Sequence, residues 1–341
     1  MFVRKIWLVV CLWSSFACAQ PPPALAAADG IRIREAYRLA RALDDHLWPN
    51  WNQAPFALLL VNGDSQFLIN DPKPPSDYRR LGRDPVLKTD IYWHARSYPA
   101  NFLATFPISD PAIPTIVVGE PEATHKNSTQ WVITILHEHF HQLQYSQPSY
   151  YQDVNALGLA KGDNTGSWML NYPFPYEDTQ VNANYEKLRQ SLLSALTKEI
   201  AYPRFVSEVA AGWQQFLSGL TPDDQKYLLF QVWQEGVARY TEIQVAEFAA
   251  HHYRSSDSFR KLHDFVPFTQ VAAEIKNRTL EELAKLSLAK DGRLVFYALG
   301  ASLALLLDRE QPAWKKSYLQ DKFTLPVEKL SATKIDKGAH Q

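Results

Sequence analysis

The alternation of apolar and polar positions divides the chain into a β-rich first third and a helical remainder. In IRIREAYRLARALDDHL, residues 31 to 47, apolar side chains recur every three to four positions, which predicts a first helix. PFALLLVNGDSQFLIN follows, two β-favouring runs on either side of Asn62-Gly63-Asp64. An Asn-Gly pair tolerates positive φ, so strands are expected near 56–61 and 65–70, joined as a hairpin. Residues 72–86 are proline-rich and read as a loop, after which DIYWHARS, NFLATFPI and PTIVVGE supply three more β runs separated by turn residues.

From residue 127 the period becomes that of a helix. Asn127 and Gln130 form a capping pair ahead of WVITILHEHFHQLQ, whose buried sides would be Val132, Ile133, Ile135, Leu136, Phe140 and Leu143. Residues 146–176, rich in Tyr, Pro, Gly and Asn, read as a long loop, and two helices are expected at about 180–199 and 203–218. Thr221 as N-cap with Pro222 at the first helical position opens a long helix running to about His252. Thr279 with Glu282 reads as another capping box, and Gly292 separates that helix from RLVFYALGASLALLLDRE.

The expected fold is therefore α+β: a small N-terminal sheet with a helix carrying the chemistry, then a mainly helical C-terminal lobe. Residues 20–145 would form the first lobe, 146–220 an insertion of loop plus helical pair, and 221–341 the second lobe. With 341 residues, 46 % of them hydrophobic, the chain can bury a sizeable core. The net charge is −1 and no block of like charge occurs, which offers nothing to attract nucleic acid or an acidic membrane surface.

Residues 1–19 have the form of a secretory signal. Arg4 and Lys5 precede an apolar run over residues 6–16, and Ala17 and Ala19 fit a small-x-small cleavage site. The run is short for a bilayer span, so no stable membrane anchor is expected after cleavage, and the protein would be secreted or periplasmic. Cys11 and Cys18, the only cysteines, lie in this leader. Any metal site in the mature chain must then be made from His, Asp, Glu or water.

His137, Glu138 and His141 stand as His-Glu-x-x-His within an otherwise apolar helix. Positions i and i+4 lie one above the other, so both imidazoles can reach one metal ion while Glu138 points beside it toward a bound water. Catalytic zinc takes three protein ligands and keeps a position open, so a third ligand is required. A histidine further along the same helix fails, because Gln144 and Gln147 occupy the Gly and His positions of that pattern. Glu235, in the apolar run of WQEGVARYTE, is the other option, since a buried carboxylate is costly unless paired or metal-bound.

Glu235-Gly236-Val237-Ala238-Arg239-Tyr240-Thr241-Glu242 resembles the Asn-Glu-Gly-Phe-Ala-x-Tyr-x-Glu motif of the aminopeptidase N-like gluzincins, with Gln234 in place of the Asn. YALGA, about sixty residues beyond Glu235, resembles that family's Tyr-x-x-Gly-Ala motif, with Leu299 where Lys is commoner. The resemblance covers roughly residues 128–310 and implies a zincin-like fold and one zinc ion held by His137, His141 and Glu235. It further implies Glu138 as general base and Tyr297 as oxyanion donor, the chemistry of an exported metallopeptidase acting on a peptide or protein substrate. Two departures matter. Residues 146–220 interrupt the usual spacing, and no Gly-x-Met-Glu-Asn segment is present to bind a free amine, so aminopeptidase specificity is not implied. TIVVGE could serve as a substrate-binding edge strand, and nothing in the sequence assigns Glu120 the amine-binding role.

Blander readings stand beside these. His139, at i+2, faces away from the other two and reads as a core or surface histidine. Glu235 could instead pair with Arg239 at i+4, and Tyr297 could be simple core. Glu242 fits either a group that orients a metal ligand or a solvated helix face. The tryptophans and the tyrosine-rich loop could line a cleft or pack the lobes together. The runner-up functions are a non-catalytic zincin-fold protein that binds a peptide or saccharide through that loop, and a zinc hydrolase of a non-peptide substrate.

Overall fold

The computed structural model describes residues 23–108, 113–198 and 202–331. The expected leader, Cys11 and Cys18 lie outside the described residues. A six-stranded mixed sheet in the N-terminal part is followed by a mostly helical region. Among the described residues no helix is long and apolar enough to cross a membrane.

Helix α1 (Ala27–Leu43) precedes strands β1 (Ala57–Asn62), β2 (Ser65–Ile69), β3 (Arg79–Arg83), β4 (Asp90–Ala95), β5 (Leu103–Pro107) and β6 (Pro114–Gly119). The sheet order is β3-β4-β2-β1-β6-β5, with β1 parallel to β6 and every other pairing antiparallel. Both faces of the central strands are covered. Leu58, Leu60, Phe67, Ile69, Ile116 and Val118 join the main core, while Leu59, Val61, Leu68 and Val117 pack under Tyr78, Tyr92, Tyr98, Phe102 and Phe106. Burial on both faces explains the unbroken apolar run of β1.

Three details differ from the sequence reading. Asn62 pairs with Ser65, so the hairpin turn is Gly63-Asp64, with Gly63 at φ +54°. Arg79–Arg83, expected to be loop, is an edge strand whose charged, exposed side chains and register shift at Gly82 hide it from a hydrophobicity pattern. The strand in PTIVVGE is β6, an interior strand; the edge on that side is β5.

Helix α2 (Ser128–Tyr145) crosses the sheet and carries His-Glu-x-x-His. Its start is over-determined: Asn127 and Gln130 form the reciprocal capping box, and Asp264 accepts from the Ser128 backbone at 2.8 Å and the Ser128 hydroxyl at 2.7 Å. In its last turn Gln142 donates to the carbonyls of Ala57 and Pro114, at 2.9 and 2.8 Å, fixing the helix against the starts of β1 and β6.

The stretch expected to be a long loop contains helices α3 (Tyr150–Ala156) and α4 (Trp168–Asn171), and α5 (Thr179–Thr197) and α6 (Tyr202–Ser218) follow as an antiparallel pair. Thr221 caps α7 (Pro222–Gln231), which runs through a π-turn, Val232–Gly236, into α8 (Val237–His252). After α9 (Asp257–Arg260) comes α10 (Phe268–Lys285), a single helix in which Thr279 donates to the Ile275 carbonyl. The capping box expected at Thr279 is therefore an interior position. Helices α11 (Leu288–Asp291), α12 (Val295–Glu310) and α13 (Lys315–Tyr318) follow, and a 3-10 helix, Val327–Ser331, ends the described residues.

Seven tryptophans, Trp48, Trp51, Trp131, Trp168, Trp213, Trp233 and Trp314, are buried in the core, which is the packing role rather than a lining of aromatic surface.

Candidate metal centre

Helical periodicity alone brings the first three residues together. One ligand atom from each of His137, Glu138 and His141 lies within 4.8 Å of the others, and the group could hold a metal ion. Glu138 and His141 are buried, and the His137 side chain is 12 % exposed. His139 points elsewhere, as expected: it stacks on Phe56 at 3.9 Å, meets the edge of Trp51 and bonds Gln142, and burial pushes its pKa down to about 4.

Glu235 approaches His141 from the π-turn, outside the group of three whose ligand atoms all lie within 4.8 Å of one another. Its Oε2 is 3.6 Å from His141 Nε2, close to the roughly 3.3 Å that separates two ligands on one tetrahedral ion. The π-turn is a rare local widening that recurs at functional sites, and here it sets the direction in which Glu235 leaves the helix. A close approach then brings α12 alongside. A Cβ added to Gly236 would sit 2.5 Å from the Gly300 Cα, and one added to Gly300 would sit 2.6 Å from the Gly236 Cα. Only glycine at both positions allows this contact. One turn before Gly300, Tyr297 is thereby brought near enough to Glu235 for the two groups to shift each other's titration.

Each imidazole has a fixed outer partner. Nδ1 of His141 faces Gln144 Oε1 at 2.8 Å, so with the proton on Nδ1 the Nε2 lone pair is directed toward Glu235. The Gln144 amide in turn donates to the carbonyls of Trp233 and Gln234 at 3.2 and 3.3 Å, and to the Tyr318 hydroxyl at 2.8 Å. One side chain thus ties the histidine helix to the turn carrying Glu235. Nδ1 of His137 lies 3.5 Å from Glu242 Oε2, and Glu242 is itself held by Arg278 at 3.0 Å and Arg239 at 3.4 Å. Glu242 is therefore an orienting carboxylate rather than a solvated one. Arg239 pairs with Glu242 and Glu282, at 3.4 and 3.7 Å, which leaves Glu235 to His141.

The electrostatics follow from these contacts. Burial opposes charge on Glu235, but His141, with His137 and the Tyr297 hydroxyl, outweighs it and holds the carboxyl below the usual carboxylate range. Burial likewise opposes charge on His141, and Glu235 with Glu138 overrides it, raising its pKa. A carboxylate and an imidazole poised in this way accept a cation between them as readily as a shared proton. Burial, then Glu235, raise the pKa of Tyr297, so its hydroxyl keeps its proton at neutral pH.

Glu138 has a partner that the sequence did not announce. Thr105 on the edge strand β5 donates to Glu138 Oε2 at 2.7 Å, and the other carboxylate oxygen takes no hydrogen bond from the described residues. Tyrosines close one side: the ring of Tyr145, at the end of α2, lies 5.9 Å from His141, and Tyr150 of the inserted region donates to Gln234 at 2.6 Å. Glu120 takes no part. It lies in the electrostatic company of Asp29, Glu122 and Arg32, and burial and its carboxylate neighbours raise its pKa.

Glu122, His263 and Asp264 form a second set of potential ligand atoms, but Arg32 already supplies the cation there, 3.5 Å from Glu122 and 3.4 Å from Asp264. The donor set at His137, His141 and Glu235 suits a divalent ion of the borderline class: two nitrogens, one carboxylate oxygen, no thiolate, and an outer partner for each imidazole. Compared with the known family models, the curated proteins and the solved structures, the chain finds no match.

Proposed function

We propose that the protein is a zinc-dependent hydrolase of the gluzincin type that cleaves peptide bonds. His137, His141 and Glu235 would hold one zinc ion, within a zincin-like arrangement of mixed sheet and crossing helix. The observation that carries this reading is the convergence of Glu235 on His141 at 3.6 Å with Glu138 kept beside both histidines. Metal binding alone does not require that glutamate.

What zinc supplies when bound is Lewis acidity toward a carbonyl and a water whose pKa falls to near neutrality. The remaining work falls to the chain. Glu138, steadied through Oε2 by Thr105, takes the water's proton on its free oxygen and returns it to the departing amine. Tyr297, kept protonated, donates a hydrogen bond to the oxygen on which charge develops. Gln144 and Glu242 hold the two imidazoles in the tautomer that presents Nε2. The N-terminal residues, which have the composition of a secretory leader, support an exported protein.

The test is cleavage of a mixed peptide library by zinc-loaded protein, with and without a chelator, followed by mass spectrometry. Chelator-sensitive cleavage that disappears in Glu138→Gln, with zinc content unchanged, is expected. Zinc-loaded, folded protein that cleaves no peptide would remove the peptidase reading.

A further inference from the structure

Among the carboxylates around the centre every one is already engaged, yet one guanidinium is not. Arg239 and Arg278 share Glu242 and Glu282, at distances from 3.0 to 3.8 Å. Arg293, on the turn that opens α12, is half-buried and has no carboxylate within ion-pair distance among the described residues. Its single hydrogen bond from Nη1 goes to the Tyr297 hydroxyl at 3.1 Å, and its guanidinium carbon stands 5.8 Å from the Tyr297 ring centroid. A guanidinium carries five donors, so most of this one's capacity is unspent. Lys126 adds a further cation near Glu242 and Arg278 with no ion pair of its own among the described residues. The cations thus outnumber the free anions where Glu235 is committed to His141.

Glu235 is the carboxylate whose charge reaches Arg293, but it is paired with His141, so most of the guanidinium's donors stay open, and their planar fork matches a carboxylate. The place of Arg293 is also specific. The hydroxyl it touches is the one beside Glu235, so an anion on Arg293 stands within about two residues of the bond under attack, at roughly 3.3 to 3.6 Å per extended residue. We propose that Arg293 anchors a substrate carboxylate next to the scissile bond, making the protein selective for peptides that carry an acidic side chain or a free C-terminus there. The location rests on the reading of the centre given above, whereas the anion preference does not.

Four random N-acetylated pentapeptide libraries test this: C-terminal acid or amide, each made with and without Asp and Glu. They are equilibrated with the full-length zinc-treated protein and with Arg293→Gln, and retained peptides and their fragments are counted together by mass spectrometry. A charge-assisted fork corresponds to about tenfold or more, so wild type should enrich carboxylate-bearing peptides by about that factor and R293Q should enrich them little. Enrichment of both acid libraries with none of the amide library containing Asp and Glu assigns the anion to the chain end; enrichment of that amide library assigns it to a side chain. Equal retention of all four libraries by wild type overturns the proposal, and this comparison stands even if R293Q does not fold. An enrichment undiminished in folded R293Q overturns it too. Carboxylate-selective retention by protein that holds no zinc would sink the hydrolase reading and leave the anchor, while zinc-dependent cleavage with no carboxylate preference would do the reverse.

Discussion

Replacing Gly300 with alanine perturbs the contact on which the geometry of the centre depends. The new methyl would lie 2.6 Å from the Gly236 Cα and 2.8 Å from the Val232 carbonyl oxygen, against the 3.4 Å at which Cβ contacts become ordinary. Both neighbours are backbone, so no side chain can swing away, and α12 must move off the π-turn by most of an ångström. Overpacking of this kind costs about 1–3 kcal/mol, and a backbone clash belongs at the upper end. Alanine's better helix propensity returns about 1 kcal/mol. The net expectation is a loss of about 2 kcal/mol, read in urea as a lower midpoint at unchanged slope. The same displacement draws Tyr297 away from Glu235, and zinc affinity should fall by about tenfold or more. A G300A protein as stable as wild type with undiminished zinc affinity would show that the glycine pair does not set the spacing, and the argument linking the two motifs would fail.

Other substitutions separate the roles. Gln144→Ala removes the acceptor on His141 Nδ1 and the link to the π-turn, so zinc affinity, measured by competition with a chromophoric chelator, should drop about 10- to 100-fold while the protein stays folded. Thr105→Val should leave zinc content unchanged and lower the cleavage rate, since it frees only the Glu138 carboxylate; unchanged turnover would remove Thr105 from the mechanism. Asp264 supplies a pH test away from the centre. Burial opposes its charge, but Ser128 and Arg32 hold its pKa below the ordinary value of 3.8. A depressed folded-state pKa stabilises above the unfolded pKa and is lost as pH falls through the folded one. Asp264→Asn should therefore cost about 1–3 kcal/mol near pH 7, and the gap to wild type in denaturation midpoints should narrow below about pH 4. A gap independent of pH would mean that the charge contributes nothing.

Much of this was legible in the chain because it is local. The i, i+4 histidines, the Asn127 capping box and the Thr221 start each depend on neighbours within one turn, and each forms as its spacing predicts. Strands buried on both faces announce themselves as apolar runs, whereas the arginine-rich edge strand β3 cannot. Thr279 was misleading because a threonine hydroxyl satisfied by the carbonyl four residues back sits comfortably inside a helix, so the capping pattern there marks no boundary. Thr105, Gln144 and Arg293 were invisible as site residues for a different reason. Their roles come from partners brought near only by the fold, and no short spacing encodes that β5 lies beside Glu138 or that Gln144 spans two helices. Glu242 stood undecided in the sequence, and the approach of His137 and Arg278 assigns it an orienting contact.

The central claim is that three side chains from two separate helices make one metal centre. Zinc bound per chain, measured by elemental analysis after dialysis in wild type and Glu235→Ala side by side, tests it most directly. One zinc per wild-type chain, lost or weakened by at least tenfold in folded E235A, is the expected result. A folded wild type that takes up no added zinc, or an E235A protein that binds it as tightly as wild type, would contradict the account.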